Sequence, residues 1–296
     1  MGTQAVPDRV PRRETAMGTS MRRAWYVLRR NPLSLLGAGF IVLLIVVAIV
    51  GPSFTVYDPI RPNLAAASQP PSAQHWMGTD RLGMDIFTRI VYATRIDLLL
   101  GIAGVLGALV LGAAFGMVSA YYGGWLDEVM MRLLDSLQAF PTIILGMTIA
   151  AVLGPSIRNV AVVLVVVNFP IYARLMRSLV LSAKEAQYVD AARSVGNGDA
   201  RIMFGHILGN CMGPIYIQAS LNMGWSVLMA ASLSFIGLGA QAPQPEWGLM
   251  IRDGARYMTQ GMWWMSFFPG LMIFLFVLAV NLVGDGLQEI LDPRRR

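Results

Sequence analysis

The sequence predicts an all-α polytopic membrane protein with six transmembrane helices, and two observations carry that reading. Hydrophobic residues make up 55% of the 296-residue chain and charged residues only 14%, with a mean hydropathy of +0.57. A soluble domain carries about a quarter charged residues. Six stretches are also apolar enough to span a hydrocarbon core, which takes roughly 20 mostly apolar residues. They fall near 33–52, 97–119, 138–154, 157–175, 214–238 and 267–286. The net charge of +6, from 22 arginines and one lysine, shows no basic face interleaved with aromatics outside the membrane ends. It therefore reads as topological, and nucleic acid is not an expected partner.

Taken in order, residues 1–32 form a polar N-terminal tail, rich in Arg, Thr, Pro and Gly at its start with no apolar period. The first span, 33–52, follows Arg29-Arg30-Asn31-Pro32 and has no small-residue cleavage site, so it reads as an uncleaved anchor. Arg12-Arg13 is not followed promptly by an apolar core, which argues against a twin-arginine export signal. Residues 53–96 form a polar insertion ending in the amphipathic run Met77–Ile96. Residues 97–286 then form a five-helix core, and 287–296 a short basic tail.

Orientation follows from the basic residues. With both termini cytoplasmic, the inner segments hold sixteen Lys and Arg and the outer segments seven: Arg61, Arg81, Arg89, Arg95, Arg158, Arg252 and Arg256. That excess puts the polar loop 184–210 in the cytoplasm and 53–96 outside. The loop is helix-prone, with Tyr188, Ala191, Ala192 and Val195 on one face and Glu185 and Asp190 off it. Gly196 and Gly198 break the pattern, and Asp199 is placed to cap a second short helix, Ala200–Leu208. Small alanines backed by carboxylates suit docking into another protein's groove, where force is received and no chemistry is done.

Elsewhere, Gly78, Thr79, Asp80, Arg81, Gly83 and Asp85 suggest a turn followed by a helix cap; calcium loops need more oxygen ligands than this. Gly123–Pro141 reads as an interfacial amphipathic helix leading into the third span. Proline at position 170 predicts a kink in the fourth. Trp247, Trp263 and Trp264 sit where an aromatic belt is expected. Polar groups in lipid are costly, so Asn168, Gln218, Asn222, Asn281 and Asp285 are candidates for a translocation path or for hydrogen bonds between helices. Met-rich 212–230 suits an adaptable path or ordinary packing. There is no P-loop and no Ser/His/Asp ordering, and one cysteine with two histidines makes no metal cluster. No enzyme is expected, and any ATP-driven process needs its nucleotide sites on another chain.

The same residues carry a family resemblance. Asp190-Ala191-Ala192, Gly196 and His206-Ile207-Leu208 resemble the "EAA" loop of ABC-importer permeases, with Asp190 in place of Glu and Gly209 in place of Pro. Pro71–Gly101 is similar to the "GTDxxGRD…SR…YGAR" segment of C-type permease subunits of dipeptide, oligopeptide and nickel ABC importers; Met84, Thr88 and Thr94 are departures. Gly123–Pro141, Leu233–Gly248 and Phe268–Arg294 also resemble that family, in its order and spacing. The resemblance implies a type I importer (MetI-like) permease fold and coupling to ATPases through Glu185, Asp190, Ala191, Ala192 and Gly196. It implies as partners a homologous B-type permease, two ABC ATPase subunits holding ATP and Mg, and an extracytoplasmic solute-binding protein. Asp80, Arg81, Gly83 and Asp85 would lie toward the binding protein or the partner permease. The substrate would be a peptide, or nickel, glutathione or another small solute. An ion-coupled secondary transporter is the rival, with Asp285 as its only candidate charge.

Overall fold

The structure is a computed structural model that describes residues 31–291. Most of the expected N-terminal tail, with Arg12-Arg13, and residues 292–296 lie outside the described residues. Helix α1, Pro32–Val50, begins with Asn31 accepting from the Ser34 N–H at 3.4 Å and proline in its first turn. Its buried residues Ser34, Gly37, Leu44 and Ala48 share one face. Phe40 and Ile41 are partly buried beside that face, and most of the rest is exposed and apolar, as a lipid-facing surface requires. A side chain at Gly37 would stand 2.6 Å from the Ala279 carbonyl oxygen, so α1 packs backbone-close on the last helix.

Helix α2, Ile86–Tyr122, starts eleven residues before the expected span at 97 and runs for 37 residues, about 55 Å. The amphipathic run up to Ile96 is therefore only partly an insertion. Ile86, Ile90 and Ala93 pack with Trp247, Met250 and Trp264, so this first part of α2 lies in a protein core. There Arg89 is tolerated because its Nη1 donates to the Pro59 carbonyl at 2.9 Å and the Pro243 carbonyl at 3.3 Å.

The expected third span is the largest departure. Helix α3, Gly124–Gln138, and helix α4, Thr142–Leu153, are bent 89° apart. Pro141 is extended at the N-cap of α4, so the helix restarts there. With 12 residues, α4 is about 18 Å long and does not cross a bilayer by itself. Among the described residues five helices are long and apolar enough to cross, or six if the bent pair counts as one span.

Helix α5, Ile157–Ala183, continues through Pro170 and extends eight residues past the expected end at 175. It lies close against α2. A Cβ at Gly104 would stand 2.7 Å from Leu164, and one at Gly112 would stand 2.7 Å from the Phe169 carbonyl. Gly116 abuts the Ala173 carbonyl with no room for any side chain. Small residues let two helix backbones approach this way in membrane proteins.

A short helix α6, Gln187–Ser194, leads to α7, Asp199–Ile236, whose second and third turns are π-helical over Ile202–Ile207. After α7 come α8, Trp247–Ala255, and α9, Trp264–Leu291. Two carboxylates cap α8. Glu246 accepts from Gly248 at 3.0 Å and Leu249 at 2.7 Å, and Asp97 accepts from Trp247 at 3.2 Å. The expected aromatic belt is mostly absent: Trp247 and Trp264 are buried, and the Trp264 indole donates to the Thr79 carbonyl at 3.2 Å. These rings pack where the end loops meet, and of the three expected belt residues Trp263 alone is exposed.

Candidate functional site

The loop 184–210 is docked on the ends of α2 and α5. Val189 and Ala192 are buried in a cluster with Ala120, Met176, Val180 and Ile202. Tyr188 and Val195, 39% and 77% exposed, point away together with Ala191. The expected face is therefore split. Ala192 anchors the helix, while Tyr188, Ala191 and Val195 form an outward apolar strip. Asp190 and Glu185 are exposed beside it. Arg193 approaches Asp190 at 3.7 Å, an exposed i,i+3 pair of little energetic weight.

Gly196 ends α6 by a Schellman motif. The Asn197 N–H reaches the Ala192 carbonyl at 3.2 Å and the Gly196 N–H reaches Arg193 at 2.9 Å. That motif needs a left-handed residue, and Gly196 has φ +79°. The second helix does not stop at Leu208 as expected. It runs unbroken into α7, because Gly209 keeps the N–H that a proline would remove. Asp199 caps nothing; the N-cap is Gly198. Asp199 instead accepts from the Tyr121 hydroxyl at 2.8 Å. Sequence reasoning missed Tyr121 because it lies 78 residues away, at the end of α2.

More of that α2 end is engaged. Asp127 accepts from the Ser119 hydroxyl and from Arg177 Nε and Nη2, with Nε at 2.7 Å. Arg174 pairs with Asp135, and the Lys184 ammonium donates to the Ala120 carbonyl at 3.0 Å. α2, α3, α5 and the loop thus share one charged seam, although neither Asp127 nor Lys184 stands out by spacing.

At the opposite end, Asp80, Gly83 and Asp85 hold their own chain. Asp80 accepts from the Leu82 and Met84 N–H groups, each at 2.9 Å, and burial raises its carboxyl above the usual range. Gly83, at φ +75°, is pressed on the Asn63 carbonyl. Asp85 caps α2 through the Thr88 N–H at 2.8 Å and meets His75 Nδ1 at 2.9 Å. Arg81 is exposed, at the rim of a cavity of about 270 Å³ that also includes Arg89, Arg252 and Arg256.

The polar span residues divide into two groups. Asn168 donates to Ser226 at 3.2 Å and accepts from Asn222 at 3.5 Å, while Gln218 donates to Asn222 at 2.9 Å. This chain links α5 to α7 inside the protein. Asn281 and Asp285 are exposed on α9. Among the described residues no three His, Cys, Asp or Glu side chains are grouped to hold a metal, and Cys211 is buried among Met203, Ile207 and Ile215.

Comparisons with known proteins agree with this geometry. Residues 108–296 match the family described as binding-protein-dependent transport system inner membrane component. Residues 19–71 match the N-terminal TM domain of oligopeptide transport permease C. The dipeptide transport system permease protein of Alkalihalophilus pseudofirmus is 44% identical, covering 93% of this chain and 90% of its own. The glutathione transport system permease protein of Pectobacterium atrosepticum is 40% identical over 95% of this chain and 94% of its own. A probable D,D-dipeptide transport system permease protein of Escherichia coli is 39% identical, with 91% and 90% covered. The chain belongs to the family of binding-protein-dependent transport system inner membrane components, as a multi-pass permease.

Proposed function

We propose that this permease imports dipeptides or short oligopeptides as one half of a heterodimer with a homologous B-type permease. Two ABC ATPase subunits hold ATP and Mg and press on loop 184–210 from the cytoplasm. An extracytoplasmic solute-binding protein delivers the peptide at the end bearing Asp80 and Arg81. This chain needs no cofactor of its own, and both its termini are cytoplasmic. The observation that carries the reading is the outward strip Tyr188, Ala191 and Val195 on a helix anchored by Val189 and Ala192. It is an apolar surface on an anchored helix, left uncovered by the described residues. Coupling requires the ATPases to bind the two permease states with different affinity. A firmly docked helix delivers that difference to the membrane helices.

Asn281 and Asp285, exposed on α9, are assigned to the translocation path or the partner permease. Asn168, Gln218 and Asn222 serve as bonds between α5 and α7. The dipeptide relative at 44% identity favours peptides, and the glutathione relative at 40% supports a second reading, a γ-linked tripeptide. Complementing a peptide-uptake mutant with the full operon, and scoring a toxic dipeptide against glutathione uptake, separates the two. Asp190→Lys is expected to abolish uptake while the permease still inserts. Normal uptake with normal substrate-stimulated ATP turnover in that variant would remove the coupling assignment.

A further inference from the structure

Both halves of the loop converge on one side chain outside it, Tyr121, in the last turn of α2. Its hydroxyl donates to Asp199 Oδ1 at 2.8 Å, at the start of α7. The Arg193 guanidinium lies 5.9 Å from its ring centroid, at the end of α6. Between these two contacts runs the Schellman turn at Gly196, with no side chain or backbone within 4 Å of its missing Cβ. The turn thus hangs free while its two ends are tied to α2. A loop held only by Val189 and Ala192 can slide on an apolar surface; a hydrogen bond and a cation–π contact to one ring fix its rotation as well.

We propose that Tyr121, Asp199 and Arg193 form a latch that positions the loop on α2, so that displacement of α6 moves α2 and is not absorbed by the turn at Gly196. The proposal rests on the reading of loop 184–210 as the point where force enters. Tyr121, Asp199 and Arg193 are positioning residues: they act through the strip Tyr188, Ala191 and Val195, which meets the ATPases. The ring is the junction because α6 and α7, which also share the buried cluster around Ala120, Met176 and Val180, each place a polar or charged side chain on it. Removing its hydroxyl leaves the ring and its packing in place, cuts the link to Asp199 and withdraws the hydroxyl's interaction with Arg193.

The test uses the complete importer, with both permeases, the ATPases and the binding protein, in proteoliposomes. Tyr121→Phe, Asp199→Ala and the double variant are compared for co-purified ATPase subunits, ATP turnover and peptide imported per ATP. Each single variant should retain the ATPases and lose about fivefold in peptide per ATP, the scale of one hydrogen bond. The double variant should lose no more than either single one, since both cut the same link. Asp199→Asn, which keeps an acceptor for the hydroxyl, should stay within about twofold of the unaltered importer. A wild-type ratio in Tyr121→Phe, multiplying losses in the double variant, or loss of the ATPases from the complex would each overturn the latch. Failure of the underlying reading looks different: Asp190→Lys would then import normally, whatever Tyr121→Phe does.

Discussion

Replacing Gly196 separates the shape of the loop from its surface. The residue has φ +79° and nothing within 4 Å of where a Cβ would sit, so alanine there meets no clash and pays only for the left-handed backbone. That conformation costs an L-residue about 1–2 kcal/mol. The stiffer unfolded chain returns about 0.4–1 kcal/mol, for a net loss near 1 kcal/mol. Asparagine tolerates the left-handed region better than alanine and should fall between glycine and alanine. Proline cannot adopt a positive φ and also deletes the 2.9 Å bond from the Gly196 N–H to Arg193. The Schellman motif is then lost, at a cost of about 3 kcal/mol or more. Peptide uptake by the reconstituted importer should fall in the order Gly, Asn, Ala, Pro, with alanine retaining activity and proline nearly none. Amide exchange over 187–198 should quicken in the same order while the spans stay protected. Equal loss in alanine and proline, with both chains inserted, would refute the conformational argument and point to a requirement for a bare backbone.

Two further perturbations address polar groups between the spans and at the end opposite the loop. Asn222→Leu strands Asn168 and Gln218 without their shared partner and should destabilise the permease by about 1–3 kcal/mol; Asn168→Leu with Asn222→Leu should recover part of that, read by thermal unfolding in detergent. Burial raises the Glu246 carboxyl above its ordinary 4.5, against the pull of the Leu249 and Gly248 N–H groups. A raised carboxyl contributes stability that is complete below its unfolded value and is lost as pH rises through the folded one. Unfolding temperature should therefore fall from mild acid toward neutral pH. Glu246→Gln, which keeps an acceptor for the cap, should flatten that slope; an unchanged slope would remove Glu246 as its source.

The long apolar helices were legible because periodicity and composition report lipid contact directly. The start of α2 was not, since Ile86–Ile96 is amphipathic for a different reason: it packs on Trp247, Met250 and Trp264, residues brought close only by the fold. Those tryptophans look like belt residues for the same cause. An indole that donates to the Thr79 carbonyl and one that is fully buried have the same spacing from a span as one in an interface. In the loop, the small-residue face was legible and its division was not. Ala192 and Ala191 are neighbours, and the ends of α2 and α5 with Ile202 decide which is covered. Asp199 was assigned to the nearest helix start because caps are local, whereas its partner, Tyr121, is 78 residues away.

The packing at Gly104, Gly112 and Gly116 bears on what the loop can move. With no room for a side chain at Gly112 or Gly116, where the α5 backbone lies against α2, sliding one helix past the other meets backbone collision there. The Asp127–Arg177 pair and the Lys184 bond to the Ala120 carbonyl close the same two helices, with α3, at the loop end. Motion at the loop must therefore carry α2 and α5 as one body. At its far end α2 is continuous with the cap at Asp85 and the packing on Trp247, about 55 Å away. On the proposed coupling role, a shift of the loop would reach the segment containing Asp80 and Arg81 through one continuous helix. Softer joints are the 89° break before Thr142 and the interface between α5 and α7, where hydrogen bonds among Asn168, Ser226 and Asn222 replace close backbone contact. In the proposed importer, rearrangement between states would belong at those joints.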